Sequence, residues 1–276
     1  MADSRGVAIS GQRSVDGGRQ SVVCRHFRVS DVSFAVLRKM TLTERVVNTT
    51  IKGITSLICR VDAEQLARVP ARGPLIIVTN HVNFLEAPVI YTRLMPRAVT
   101  GFAKIETWDS AFLGWLFDVW GMIPIRRGEA DMSAIRRGVA ALEDGQILAI
   151  APEGTRSGHG RLQKGRAGVV MMALLSGAPL LPVVHYGGEQ YRQNLSRLRR
   201  TDFHVIVGQP FELDKRGQKV TRAVRQKMTD EIMYQMAALL PPPYRGEYAD
   251  LSKSTEFYLS SCHISQEPCS LKEHGS

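Results

Sequence analysis

The chain has 276 residues, of which 44% are hydrophobic, 22% charged and 7% aromatic. That balance gives one sizeable core and excludes a collagen, a coiled-coil rod, a wholly disordered chain and a polytopic membrane protein. The net charge is +10, from 36 basic and 26 acidic residues, so an anionic partner is expected: nucleic acid, a phospholipid surface or a phosphorylated substrate. The longest apolar stretch, 169–184, is broken by Ser176, Gly177, Pro179 and Pro182. A spanning helix needs about 20 apolar residues, so no transmembrane helix is expected. The cysteines (Cys24, Cys59, Cys262 and Cys269) are scattered without metal-ligand spacing, which favours a reducing compartment. The N-terminus lacks the apolar core of a signal peptide, and a cytosolic protein is expected.

Residues 1–30 are rich in Gly, Ser and Arg and read as a disordered basic arm. Thr41 followed by Glu44 matches a capping box that opens a helix. Val47, Ile51, Ile54 and Ile58 then share one helical face, with Arg45, Asn48, Lys52 and Ser56 on the other. An ordinary surface helix and a helix lying in a membrane interface both fit this pattern. After Pro74 the chain alternates. Short apolar runs at 75–78, 98–102, 122–125, 147–151, 180–184 and 205–207 read as buried strands, and 132–142 and 168–175 as helices between them. The alternation predicts an α/β fold, with a mostly parallel sheet flanked by helices and preceded by an N-terminal amphipathic helical segment. A last helix, 220–239, runs to the stop at Pro241-Pro242-Pro243. The basic cluster RQNLSRLRR, 192–200, lies between the last two strand runs.

Four blocks carry the chemistry. The first is Asn80-His81-Val82-Asn83-Phe84-Leu85-Glu86, beyond the end of a strand, where open α/β sheets place ligands. A carboxylate on one ring nitrogen fixes the tautomer and raises the basicity of the other, which makes a general base. A locally hydrogen-bonded loop histidine fits the same spacing. The second block is a strand ending in Arg126-Arg127-Gly128. The third is Pro152-Glu153-Gly154-Thr155-Arg156-Ser157, where a guanidinium fork suits an anionic oxygen or Glu153 and Arg156 pair with each other. The fourth is Gly177-Ala178-Pro179-Leu180-Leu181-Pro182, a wall without a reactive group.

In this order, from about Leu75 to Val184, the blocks resemble the glycerolipid acyltransferase family typified by bacterial 1-acylglycerol-3-phosphate acyltransferase. Lys104-Ile105-Glu106, Gly158, Leu162, Lys164 and Gly165 also fit. The resemblance implies acyl transfer from a thioester to the sn-2 hydroxyl of a lysophospholipid, giving phosphatidic acid. It makes His81 the base and Glu86 its orienting carboxylate. Arg127, Glu153, Gly154, Thr155, Arg156 and Lys104 would bind the substrate, and Trp108, Phe112, Trp115 and Trp120 would serve as core or as an acyl-chain and interfacial surface. It implies no metal and no cofactor beyond an acyl-CoA or acyl carrier protein co-substrate. Its partners would be an anionic membrane surface, the lysophospholipid acceptor and the acyl thioester donor, with no nucleic acid. The location would be peripheral or monotopic on the cytoplasmic face of the cell membrane.

The expected organisation is a basic arm at 1–30, an amphipathic helical membrane-associating segment at 31–68, an acyltransferase domain at 69–245 and a polar tail at 246–276. Three positions depart from the family pattern: Glu86 stands where Asp is usual, Ala151 where Phe is common, and Arg126 precedes the motif arginine. A lyso-aminolipid acceptor and a non-catalytic lipid-binding member are the alternatives.

Overall fold

A computed structural model describes residues 40–126 and 131–262. In chain order the elements are α1 (Leu42–Ile58), β1 (Cys59–Asp62), β2 (Leu75–Val78), α2 (Glu86–Leu94), β3 (Val99–Lys104), α3 (Ala111–Val119), β4 (Ile123–Ile125), α4 (Met132–Glu143) and β5 (Ile147–Ile150). They continue with α5 (Gly168–Ser176), β6 (Leu180–Tyr186), α6 (Tyr191–Ser196), β7 (Thr201–Val207), β8 (Phe211–Leu213), α7 (Arg222–Leu239) and β9 (Leu259–Ser261). The strands lie in the order β1-β7-β6-β2-β5-β3-β4, with β8 paired to β6 and β9 paired to β8. Neighbours along that path are parallel except β6 with β7. This is the expected mostly parallel sheet flanked by helices.

The strands that carry the core are short and apolar because both faces are covered. Along β2 the side chains alternate: Ile76 and Val78 enter the core beneath α5 and α7, and Leu75 and Ile77 enter the one on the other face. Helix α7 closes the first core with Met228, Ile232, Met233, Met236 and Ala237, all wholly buried.

Helix α1 begins at the expected capping box, with Glu44 N–H donating to Thr41 Oγ1 (3.2 Å) and Thr41 N–H to the Glu44 carboxylate (2.8 Å). Val47, Ile51 and Ile58 of the expected apolar face pack against the core, but two positions differ. Asn48, placed by periodicity on the polar side, is buried, and Ile54, placed on the packed side, is exposed. Asn48 enters because its groups are satisfied there. Its amide donates to the Glu44 carbonyl (2.8 Å), and its Oδ1 accepts from the Trp120 indole N–H (3.0 Å). Leu42, Val46, Ile54 and Leu57 are left facing out.

The fold extends past both expected ends of the 69–245 domain. Strand β1 pairs with β7 from Cys59↔Thr201 to Asp62↔His204, so the segment expected as helical to residue 68 already contributes to the sheet. Beyond 246, Tyr248 and Tyr258 are buried and β9 lies on β8. The buried Glu231 carboxylate gathers this segment, accepting from Thr255 Oγ1 (2.7 Å), Phe257 N–H (3.0 Å) and Tyr258 N–H (2.8 Å). The expected arm at 1–30 and the end of the tail lie outside the described residues.

Candidate active site

Parallel neighbours release their following loops at the same edge of a sheet. The order β6-β2-β5-β3-β4 therefore sets five loops in a row: Gly187–Glu189, Asn80–Glu86, Ala151–Ser157, Lys104 and Arg126. Strand spacing puts the β2 and β4 ends about 14 Å apart. Arg127, expected as the motif arginine, lies outside the described residues. Lys104 and Arg126 are exposed.

His81 Nδ1 bonds Glu86 Oε1. The other carboxylate oxygen accepts from Asn83 N–H (2.9 Å), while Asn83 Oδ1 accepts from Leu85 N–H (2.8 Å). This asparagine turn starts α2 with Glu86 in its first position, where the helix dipole favours a negative charge. Burial pushes the Glu86 carboxyl up, but the His81 hydrogen bond, the neighbouring His185 and the Asn83 N–H together hold it below the usual carboxylate range. With Nδ1 donating to Glu86, Nε2 carries the lone pair, and 22% of the His81 side chain is exposed. The arrangement can take a proton from a hydroxyl and stabilise the resulting imidazolium.

The 151–157 loop runs alongside. Ser157 N–H donates to the His81 carbonyl (2.8 Å) and Gly158 N–H to that of Val82 (2.9 Å). Glu153, expected among the substrate ligands, is buried with both oxygens engaged, one by His81 N–H (2.8 Å) and one by Gln163 N–H (3.0 Å). It does not pair with Arg156. It joins three stretches of backbone, and its burial, partly offset by those N–H groups, pushes its carboxyl up. Gly154 has φ +70, and a Cβ there would meet Arg166 Cδ at 2.9 Å, which explains the glycine. Thr155 and Arg156 are exposed on the loop.

Several residues of the site escape motif reasoning. Asn80 extends the pairing of β2 with β6 past the strand end: its amide donates to the His185 carbonyl (2.8 Å) and its Oδ1 accepts from His185 N–H (2.9 Å). The buried His185 ring meets the Asn80 carbonyl through Nε2 (2.9 Å) and stacks on Phe203. Asn83 Nδ2 donates to the Gly188 carbonyl (2.7 Å). Tyr248 Oη accepts from Gly165 N–H (3.0 Å), so the C-terminal segment steadies the loop that carries Gln163. Each of these contacts spans distant parts of the chain, and only the Asn at 80 and 83 hinted at them. The unpartnered buried side-chain atoms among the described residues are Ser157 Oγ, His185 Nδ1 and Glu189 Oε2, all on residues around the His81 loop. No cluster of His, Cys, Asp and Glu able to hold a metal occurs among the described residues.

The aromatic segment divides. Trp120 is buried and bonded to Asn48, and Trp108 donates to Asp118 (2.8 Å) and meets Phe117 edge-on. Phe112, 68% exposed, and Trp115 lie against each other at 6.2 Å on the outside of α3.

Residues 60–186, from β1 to the end of β6, match the sequence model of the Acyltransferase family. Similar proteins include the chloroplastic 1-acyl-sn-glycerol-3-phosphate acyltransferase BAT2 of Brassica napus, 27% identical over 55% of this chain and 45% of its own length. The 1-acyl-sn-glycerol-3-phosphate acyltransferase of Bacillus subtilis is 24% identical over 58% of this chain and 78% of its own. The lyso-ornithine lipid O-acyltransferase of Pseudomonas aeruginosa is 29% identical over 55% and 67%. A crystal structure of PlsC, the 1-acyl-sn-glycerophosphate acyltransferase of Thermotoga maritima, aligns with TM-score 0.49 at 20% identity over 68% of this chain and 78% of that one. The chain spans about half the length of the chloroplastic relatives. Residues 60–186, from β1 through β6, are thus similar in sequence to the Acyltransferase family.

Proposed function

We propose that the protein transfers a fatty acyl group from an acyl thioester, of coenzyme A or acyl carrier protein, to the sn-2 hydroxyl of 1-acyl-sn-glycerol 3-phosphate. The observation that carries this reading is the His81–Glu86 pair, with its free Nε2 in a row of loops that ends in basic side chains. His81 Nε2 takes the hydroxyl proton as the oxygen attacks the thioester carbonyl. The tetrahedral intermediate collapses, the C–S bond breaks, and the imidazolium returns its proton to the departing thiolate. No covalent acyl-enzyme is needed, because positioning and base catalysis suffice. Arg156, with Arg127 from the sequence motif and Lys104 at the end of β3, meets the acceptor phosphate.

The outward apolar residues of α1, with Phe112 and Trp115 on α3, support a monotopic protein that lies on the cytoplasmic face of an anionic membrane. No helix among the described residues is long and apolar enough to cross a membrane. A second reading has one observation in its favour. Glu189, at the same edge, leaves Oε2 unpartnered, and an ammonium-bearing headgroup would satisfy it. The acceptor would then be a lyso-aminolipid, the class named by the Pseudomonas aeruginosa relative.

The test is thioester release with 1-acylglycerol 3-phosphate and a lyso-aminolipid offered separately. Faster turnover of the phosphate acceptor supports the first reading, and the opposite preference selects the second. His81→Ala is expected to lose about 10²- to 10⁴-fold in rate while keeping its fold and its binding to vesicles. Undiminished turnover in that variant removes His81 from the mechanism.

A further inference from the structure

Helix α6 ends in a motif normally built around glycine. Leu198 N–H donates to the Leu195 carbonyl (3.0 Å) and Arg199 N–H to that of Asn194 (2.8 Å). This pair of bonds places residue 198 in the left-handed region, and Leu198 has φ +54. A β-carbon is disfavoured there, so glycine or asparagine would serve the turn better. The leucine recovers nothing from packing, since it is 95% exposed. A residue that opposes its own backbone and touches nothing is a local inconsistency of the kind found at functional sites.

Its neighbours show what it meets. Arg197 and Arg199 are exposed and make no ion pair among the described residues. The other nearby charges are engaged: Arg192 with Tyr191 Oη (3.0 Å), Arg200 with the carbonyls of Ser56 (2.6 Å) and Cys59 (2.7 Å), and Asp202 with Arg60 (3.4 Å). Glu189 accepts from Tyr244 Oη (2.9 Å). An aliphatic tip between two free guanidiniums has the chemistry of an anionic lipid interface, with headgroups at the arginines and the leucine among acyl chains. Phosphate contacts to a nucleic acid would use the arginines and leave the leucine unexplained.

The position of the turn agrees. It joins β6 to β7, which are antiparallel, so it lies at the edge where β6 ends beside the His81 loop. Cys59, where α1 passes into β1, pairs with Thr201 at the start of β7. Arg200 therefore fixes the turn to the end of α1, close to Leu57, which is 75% exposed.

We infer that the Arg197-Leu198-Arg199 turn is a second, lipid-inserting anchor that seats the His81 edge on anionic membrane. This inference rests on the membrane-docking part of the proposed function and names a segment which that reading does not use. The full chain is sedimented with phosphatidylcholine vesicles, with and without phosphatidylglycerol. Wild type is expected to prefer the anionic vesicles. Leu198→Gly and Leu198→Asn both suit the left-handed backbone, so thermal unfolding should hold or rise by a few degrees. Their partition should fall about tenfold, or about 1.4 kcal/mol. Arg197→Gln and Arg199→Gln should each lose about fivefold on anionic vesicles only, and less at high salt.

Wild-type partition in both Leu198 variants, beside a Leu57→Ser variant that binds poorly, would overturn the anchor and leave membrane docking standing. Failure of wild type to bind either vesicle overturns both. Binding of mixed-sequence single-stranded RNA that the two arginine variants abolish, with vesicle binding unchanged, would assign the turn to nucleic acid.

Discussion

The face of the sheet beneath α7 and the edge that carries His81 are opposites. On the face, Met228, Ile232, Met233, Met236 and Ala237 are wholly enclosed. At the edge, Phe112, Leu198 and Leu57 stand exposed, and the unpartnered buried polar atoms of the described residues sit around the His81 loop. Buried polar groups ordinarily find hydrogen bonds, and those that do not call for a reason. The difference separates a face whose side chains pack within the chain from an edge that keeps apolar and polar groups open. Stability is concentrated on the face, and the proposed binding and chemistry lie at the edge.

The sharpest way to break that division is through Glu86. If its charge serves the reaction, Glu86→Gln should cost about 10³- to 10⁴-fold in rate, because the amide keeps the shape and loses the stabilisation of the imidazolium. Glu86→Asp should stay within about tenfold of the parent, since it keeps the charge at the spacing usual in the family. If instead Glu86 marks a member with little turnover, the parent and the Gln variant will be equally slow and the Asp variant faster. Thioester release at saturating acceptor separates the two outcomes, and full activity in Glu86→Gln would refute both. The pH dependence of unfolding gives a second readout. The folded carboxyl lies below its usual range, so the stability it contributes is complete above that range and is lost as pH falls through the lowered value. That loss should be smaller in Glu86→Gln.

On the face the expectation reverses. Ile232→Ala leaves a cavity beneath α7 and should cost about 2–5 kcal/mol in denaturant unfolding. The rate per folded molecule and the partition to vesicles should not change. A comparable fall in kcat would show that the two regions are coupled, against the division drawn above.

Much of this architecture was legible in the sequence, for reasons that also explain the gaps. The strands of the inner sheet are apolar on both faces, so β2 and β5 stand out as continuous runs, and His81, Glu86 and the 152–157 loop follow at their ends. The short outer strands carry no such signal. β1 reads CRVD and β9 reads LSS, and their places are set by pairing with strands far along the chain. The role of Glu153 was hidden for the same reason, since the N–H groups that occupy it come from His81 and Gln163, one of them 72 residues away. Periodicity places Val47, Ile51 and Ile58 of α1 inward, as they are, but it misses Asn48 because it counts apolar residues. It has no means of knowing that Trp120 holds a donor in reach of Asn48.

That helix provides the smallest and most selective test. Its two sides should fail in different assays. Asn48→Ala removes the acceptor of the Trp120 indole N–H and leaves a buried donor unsatisfied, a loss of about 1–3 kcal/mol in unfolding free energy. On the outer side, Val46→Ser and Leu57→Ser remove side chains that touch little of the protein, so unfolding should stay within about 0.5 kcal/mol of wild type. If those side chains enter lipid, each of these two substitutions should weaken partition to anionic vesicles by about 1 kcal/mol, close to half the worth of a fully buried aliphatic side chain. Unchanged partition in the double variant would mean that the outer face of α1 does not enter the bilayer, and the membrane reading would then rest on α3 and the Leu198 turn. A large drop in stability would mean that the outer face packs on part of the chain itself, and the contrast between the enclosed face and the open edge would no longer extend to α1.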